Sequence, residues 1–449
     1  MKLNCEILRL SVPSIISNIT IPLLGLCDTT ISGHLGNISY LGAIAVGSMM
    51  CNALFWLFGF LRMGSSGLTA QAFGRGDSYA IKRLFSQSTL LGIACGVVLM
   101  LLQLPLCMLL IAVMSPSPEV EPLAREYFHI VVCGAPALLA TMAMQGWMLG
   151  MQNTVRPMML SIGVNVMNII LSLLFVFLFK MGFIGIPLGT LCANWIGMVW
   201  GIALCRRFFP KERLWVGFDG VRKGGGLKRL FRINSDIFFR SACIMAVSVA
   251  VTAIGSRLGA LTLATNAVMM QFFHIFSYFM DGIAFTGEAL CGRFAGAKDW
   301  VMLRKSIRQL LVWGSGFMVA FLVIYSFGYH LFASLITSDV EVVANVENYA
   351  LWLILIPPIT VSAFVFDGIF IGLTATRQML AATFAAAAVF FVVAMVGVDA
   401  GAPHIILPDN DRLWMAFLAY LLARGVILGV SLLFGNFAKK IKDDTLCQR

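Results

Sequence analysis

Charge is what this chain has least of. Only 12% of its 449 residues are charged, and 21 acidic residues face 32 lysines and arginines. A soluble domain carries about a quarter of its residues charged, so this chain could not cover a water-facing surface of its size. Its five histidines, His34, His129, His274, His330 and His404, are too scattered for a metal-ligand spacing. None of the 11 cysteines forms a CxxC pair. Cys27, Cys51, Cys95, Cys107, Cys133, Cys192 and Cys243 lie singly in apolar segments, where a thiol behaves as a small hydrophobe. A glycine-rich phosphate loop ending in Lys-Ser or Lys-Thr is missing, as are clustered nucleophiles, which argues against ATP hydrolysis and a membrane enzyme. Pore-lining rings and selectivity loops are missing too, which argues against a channel. No small-residue cleavage site follows Met1–Arg9, so a removable signal peptide is not expected.

What is abundant is apolar length. Hydrophobic residues make up 59% of the chain, and the mean hydropathy is +0.90. Runs of about 20 apolar residues, enough to cross a hydrocarbon layer of about 30 Å, alternate with short charged loops. They predict an all-α polytopic membrane protein. Twelve transmembrane helices are expected, near 10–33, 41–66, 85–114, 124–149, 157–179, 183–205, 233–257, 262–290, 308–336, 346–372, 378–399 and 412–436. Even-numbered loops and the tails hold bases such as Lys2, Arg9, Arg75, Lys82, Arg83, Arg293, Lys298 and Lys439. Odd-numbered loops hold few bases beside acids such as Glu119, Asp339 and Asp409. That asymmetry predicts cytoplasmic termini. The net charge of +11 therefore reads as loop charge that orients the protein, and no nucleic-acid partner is expected.

The second half repeats the first. Gly74, Asp77, Arg83 and Gln87 recur 222 positions later as Gly296, Asp299, Lys305 and Gln309. Pro136, Gly146, Gly150 and Thr154 recur at the same offset as Pro358, Gly368, Gly372 and Thr376. The repeat implies two pseudo-symmetric six-helix bundles: an amino-terminal lobe over 1–205 and a carboxy-terminal lobe over 233–436. A basic cytoplasmic linker over 206–232, carrying Gly224-Gly225-Gly226, and a cytoplasmic tail over 437–449 complete the expected domains. Repeated bundles around a central cleft suit alternating access, so a transporter is the leading class.

Function in such a chain is sought where polar groups interrupt apolar spans. Asp28 lies in the outer half of the first span, and a carboxyl in apolar surroundings is costly to ionise. Pro22, six residues earlier, cannot donate to the preceding turn and permits a bend. This pairing suits proton coupling; the alternative is a static hydrogen-bonded carboxyl. Asn165, Asn168 and Ser172 share one face of the fifth span, and Thr190 of the sixth can join them. Packing glue between helices is the competing reading of those amides. In the second lobe Asp236 and Arg240 are spaced to pair within the seventh span, Asp281 and Glu288 share a face of the eighth, and Arg424 needs a carboxylate partner. Asp367 stands at the repeat position of Gln145. Asp236, Asp281, Glu288 and Asp367 form either a structural ion network or a second cation site.

The segment Cys27-Asp28-Thr29-Thr30-Ile31-Ser32-Gly33-His34-Leu35-Gly36 resembles the first-span signature of the MATE family of multidrug and toxin extrusion transporters. Phe58-Gly59-Phe60-Leu61-Arg62-Met63-Gly64 and Gly67-Leu68-Thr69-Ala70-Gln71-Ala72-Phe73-Gly74 resemble its DinF-like branch. So do Asp281-Gly282-Ile283-Ala284 with Glu288, and Asp367-Gly368-Ile369-Phe370-Ile371-Gly372. The resemblance covers essentially the whole chain. It implies secondary active export driven by a cation gradient, with Asp28 as the proton-binding aspartate and Asn168 and Thr190 in its polar cluster. Ser172 departs from the branch, which usually has an aspartate there.

The resulting expectation is an antiporter that exports organic, cationic or amphipathic compounds in exchange for protons across a bacterial inner membrane. It needs no cofactor beyond H+ or Na+ and is expected to act as a monomer in the lipid bilayer. Sodium coupling through the second-lobe carboxylates is one alternative. A flippase for lipid-linked saccharides is the other.

Overall fold

A computed structural model describes residues 2–33, 38–217, 220, 226–395 and 409–434. Every regular element among them is helical. The chain runs through α1 (Lys2–Gly33), α2 (Ile38–Trp56), α3 (Phe60–Gly74), α4 (Ser78–Leu101), α5 (Gln103–Met114), α6 (Glu121–Val132), α7 (Ala135–Gly150), α8 (Val155–Leu173) and α9 (Gly185–Arg206). It continues through α10 (Gly226–Arg257), α11 (Ala260–Ala297), α12 (Trp300–Ile336), α13 (Val340–Asn348), α14 (Ala350–Gly372), α15 (Thr376–Met395) and α16 (Asp409–Phe434). Ten helices among the described residues are long and apolar enough to cross a membrane, and an eleventh span arises if α6 and α7, bent by 53°, count as one. The 32-residue α1 is a further long helix outside that set, and twelve spans were expected. Expected boundaries shift where polar turns are helical. The third span becomes α4 and α5 with a break at Leu102, and α12 begins at Trp300 rather than near 308.

The repeat is written into backbone geometry. Asp77 and Asp299 cap α4 and α12 identically, each accepting a 2.9 Å hydrogen bond from the third residue onward, Ala80 and Met302. Such caps satisfy amides that a helix start leaves unpaired. The residues just before them, Gly76 and Lys298, both adopt left-handed backbone, as do Gln152 and Thr374, again 222 apart. Gly146 and Gly150 place small residues four apart on α7, a spacing that lets helix backbones meet closely. A Cβ on Gly146 would stand 2.0 Å from the Arg62 carbonyl oxygen, and one on Gly368 of α14 would stand 2.2 Å from that of Ala284. Arg62 and Ala284 are themselves 222 apart, so α3 meets α7 as α11 meets α14.

The chain divides into two compact units: Val12–Phe238, and Met1–Ser11 together with Phe239–Arg449. The division falls inside α1 and α10 rather than at the ends of the linker. In the amino-terminal unit, Arg229 of α10 donates to Gln71 of α3 at 3.0 Å. In the carboxy-terminal unit, Glu6 of α1 pairs with Arg293 of α11 at 2.5 Å. Gln71 and Arg293 are repeat partners, so each contact answers the other. The linker is folded where it is described. Phe208 and Phe209 pack on Trp147, Lys82 pairs with Glu212, and the Val216 amide donates to Ser86 at 3.0 Å. Gly224, Gly225 and the tail 437–449 lie outside the described residues.

Candidate functional site

The amino-terminal unit gathers polar side chains from several apolar helices. Asp28 of α1 is 7% exposed, and its buried Oδ1 has no hydrogen-bond partner among the described residues. No ion pair reaches this carboxyl among those residues. Tyr127 of α6 is close enough to feel the Asp28 charge, and its hydroxyl lies within hydrogen-bonding reach of Thr190. Ser48 of α2 donates to the Tyr127 oxygen at 3.1 Å. Asn168 of α8 donates to Thr190 of α9 at 3.1 Å, and Ser172 donates to the Asn168 oxygen at 3.2 Å. Asn168, Ser172 and Thr190 are thus joined by hydrogen bonds, and Tyr127 stands between Thr190 and the reach of the Asp28 charge. Asn165 stands apart and donates to Thr20 of α1 at 3.4 Å. Pro22 is exposed on α1, which is assigned as one helix through it.

Local packing explains Ser172. It is fully buried where α8 meets α9, and a Cβ on Gly189 would stand 2.4 Å from its Oγ. The two helices approach too closely there for a longer side chain to fit without displacement. Tyr127 and Ser48 do not stand out in the sequence. Tyr127 is a phenol inside an apolar span, and a buried tyrosine hydroxyl usually finds a partner, which is the signal that could have marked it. An open apolar groove of about 500 Å³, lined by residues such as Gln103, His129 and Leu188, contains none of the network residues.

The carboxy-terminal unit holds a different cluster. Arg240 of α10 and Arg424 of α16 both donate to Oδ2 of Asp367 on α14, the second at 2.7 Å. Arg424 also donates to the Tyr420 hydroxyl, one turn back on α16, at 3.3 Å. The expected pairing of Arg240 with Asp236 is replaced by this longer-range contact, because α10 turns Arg240 toward α14. Two guanidinium groups thus compensate Asp367, as in the structural ion network that is one of the two expected readings of these carboxylates. Asp281 is half-buried and close enough to influence Arg424, while Glu288 is fully buried on α11 and has a partner of its own. No group of three or more histidine, cysteine or carboxylate side chains among the described residues could hold a metal ion.

Repeated helical units, each with buried polar side chains inside spanning helices, define a multi-pass membrane transporter. The MatE family model matches residues 13–174 and 237–396, one copy in each repeat. The chain belongs to the MatE family, whose members are multidrug and toxin efflux transporters handling small organic substrates. DNA damage-inducible protein F of Escherichia coli (strain K12) is 34% identical over 426 residues, covering 94% of this chain and 90% of that protein. A probable multidrug resistance protein NorM of Thermotoga maritima is 25% identical over 68% of this chain and 66% of its own. The fold is similar to the crystal structure of the Vibrio cholerae MATE transporter VcmN in the bent form. The TM-score is 0.83 at 17% identity, covering 99% of this chain and 98% of that one. A MATE crystal structure in the straight conformation is also similar, with a TM-score of 0.79 at 17% identity over 98% and 96% of the two chains.

Proposed function

We propose that the chain is a proton-coupled antiporter that exports amphipathic organic compounds, cationic ones among them, across a bacterial inner membrane with both termini in the cytoplasm. The observation that carries this reading is Asp28, buried in an apolar span with one oxygen unpartnered among the described residues and near enough to Tyr127 for its charge to be felt there. A carboxyl so placed can hold a proton without a compensating cation, whereas an ionised carboxylate there would need one. Names of relatives that speak of multidrug resistance support the cargo class.

In the cycle, a proton from outside loads Asp28, and the loss of charge frees α1 to rearrange near Pro22, which has no backbone N–H to donate. Tyr127, near enough to feel the Asp28 charge, and the Thr190–Asn168–Ser172 hydrogen bonds beyond it pass the change of protonation to α6, α8 and α9. Cargo leaves as the cavity closes, and the proton departs inward. Each inward proton gains about 2.3 kcal/mol per 100 mV of membrane potential, enough for more than a tenfold cargo gradient.

The test is dye transport in inverted membrane vesicles under an imposed pH gradient, in sodium-free and sodium-containing buffer. Wild type should transport equally in both, and Asp28→Asn should abolish gradient-driven transport at unchanged protein level. Unimpaired transport in Asp28→Asn, or a requirement for sodium in wild type, would refute the coupling.

A further inference from the structure

The Arg240–Asp367–Arg424 cluster leaves buried donors without partners among the described residues. Each guanidinium carries five N–H groups, and the carboxylate between them offers two oxygens. Both arginines approach the same oxygen, Oδ2, instead of forking across the carboxylate. Side-on forks are the stronger arrangement for an arginine–carboxylate pair held only for stability. As a result the Nε groups of both Arg240 and Arg424 are buried without partners among the described residues, two donors beside one unused acceptor, the Oδ1 of Asp367. The two arginines are 4% and 5% exposed, so bulk solvent does not relieve them. A buried donor left unmatched is costly, and its missing partner is an acceptor.

The surroundings say what shape that acceptor would bring. Phe417, Tyr420 and Arg424 lie on one face of α16, the outer two seven positions apart, and Phe364 lies three residues before Asp367 on α14. Phe273 of α11 bridges them, with ring centroids 5.2 Å from Phe417 and 6.0 Å from Phe364. The Tyr420 ring centroid lies 5.9 Å from the Arg424 guanidinium carbon, the Phe273, Phe364 and Phe417 rings cluster one to two turns further along the same helices, and Asp281 is close enough to influence Arg424. We propose that this cluster is a binding site for an oxyanion, the carboxylate, phosphate or sulfonate head of an organic acid whose apolar body lies on the Phe273–Phe364–Phe417 face. The anion accepts from the free guanidinium edges while Asp367 keeps the two arginines oriented. The site extends the transporter reading by giving the second unit a role in recognising acidic cargo, and it rests on that reading only for the transport step after binding.

The experiment compares two fluorescent probes of one fluorophore and opposite charge, dansylglycine and dansylcadaverine, titrated onto the purified full chain in phosphatidylcholine nanodiscs, with empty discs as the blank. Wild type should bind dansylglycine, and Arg240→Gln and Arg424→Gln should each weaken it by about tenfold or more. Dansylcadaverine should change less than twofold. Arg240→Lys and Arg424→Lys, which keep the charge, should recover part of the loss. The proposal is overturned if wild type binds dansylglycine no better than empty discs, if the glutamine variants bind it normally, or if both probes weaken together in variants that elute and melt as wild type does. Phosphatidylglycerol added to the discs separates the sources: displacement of the probe assigns the site to a lipid headgroup, and no displacement assigns it to a soluble acid. Asp28→Asn should keep the dansylglycine affinity while losing gradient-driven transport, so a failed coupling reading and a failed anion site give different results.

Discussion

Alanine at Gly368 should damage this protein more than its size suggests. The added Cβ would lie 2.2 Å from the Ala284 carbonyl oxygen and 2.6 Å from the Ala284 Cα, both backbone atoms of α11. Ordinary contact begins at 3.4 Å, so α11 and α14 must part by about 1 Å over the turn where they meet. Backbone cannot swing aside as a side-chain tip can, and forced overpacking of this kind costs about 1–3 kcal/mol. The upper end applies here, because the separation also opens gaps along the rest of the helix pair. Gly146→Ala meets the Arg62 carbonyl at 2.0 Å and should lose a similar amount. The control is Gly316→Ala on α12, which has nothing within 4 Å and should be neutral or mildly stabilising, since alanine favours helix over glycine by up to about 1 kcal/mol. Thermal melting of the purified variants in one detergent, read as apparent Tm at a fixed scan rate, gives the comparison. Gly368→Ala and Gly146→Ala should melt several degrees lower, and Gly316→Ala should not. If all three melt together, close backbone approach is not what holds these helix pairs, and other contacts set the geometry of the repeat.

Asp77→Ala and Asp299→Ala should each lose about 1 kcal/mol from a helix cap, in equal measure and nearly additively in the double variant. Unequal melting shifts would show that the two caps, alike in geometry, differ in energetic weight. Ser172→Asp, which restores the residue usual in this branch, should lower both yield and melting temperature because Gly189 leaves no room beside it. Ser172→Ala should be close to wild type in melting, and a better-folded Ser172→Asp would sink the steric account of this position.

The repeat is legible because the residues that carry it are backbone devices. A cap, a left-handed turn and two glycines at a backbone contact tolerate few substitutes, so Asp77, Gly146 and Gly150 reappear at their offset while surrounding apolar residues drift. Helix starts are less legible. Lys82 and Arg83 read as loop charge, yet they sit on the first turns of α4 behind the Asp77 cap. Side-chain pairing is legible only within a helix, where spacing reports proximity. Spacing therefore matches Arg240 to Asp236 four residues away, although its partner is Asp367, 127 residues on. Asp28, Asn168, Ser172 and Thr190 stand out as polar groups in apolar runs, whereas Tyr127 is hidden by its largely apolar ring. Only the meeting of α1, α6, α8 and α9 makes it a neighbour.

The paired contacts of Glu6 with Arg293 and of Arg229 with Gln71 bear on how such a chain could arise. Each half's leading helix lends its opening turns to the contact set of the other, so one half alone leaves its own receiving surface bare. An ancestor encoding a single half would meet that need with a second copy, and such a pair joined end to end would give the present arrangement. Residues 1–217 and 226–449, produced as separate polypeptides, should still be recovered together on one affinity column; independent elution would contradict this descent from exchanged helices.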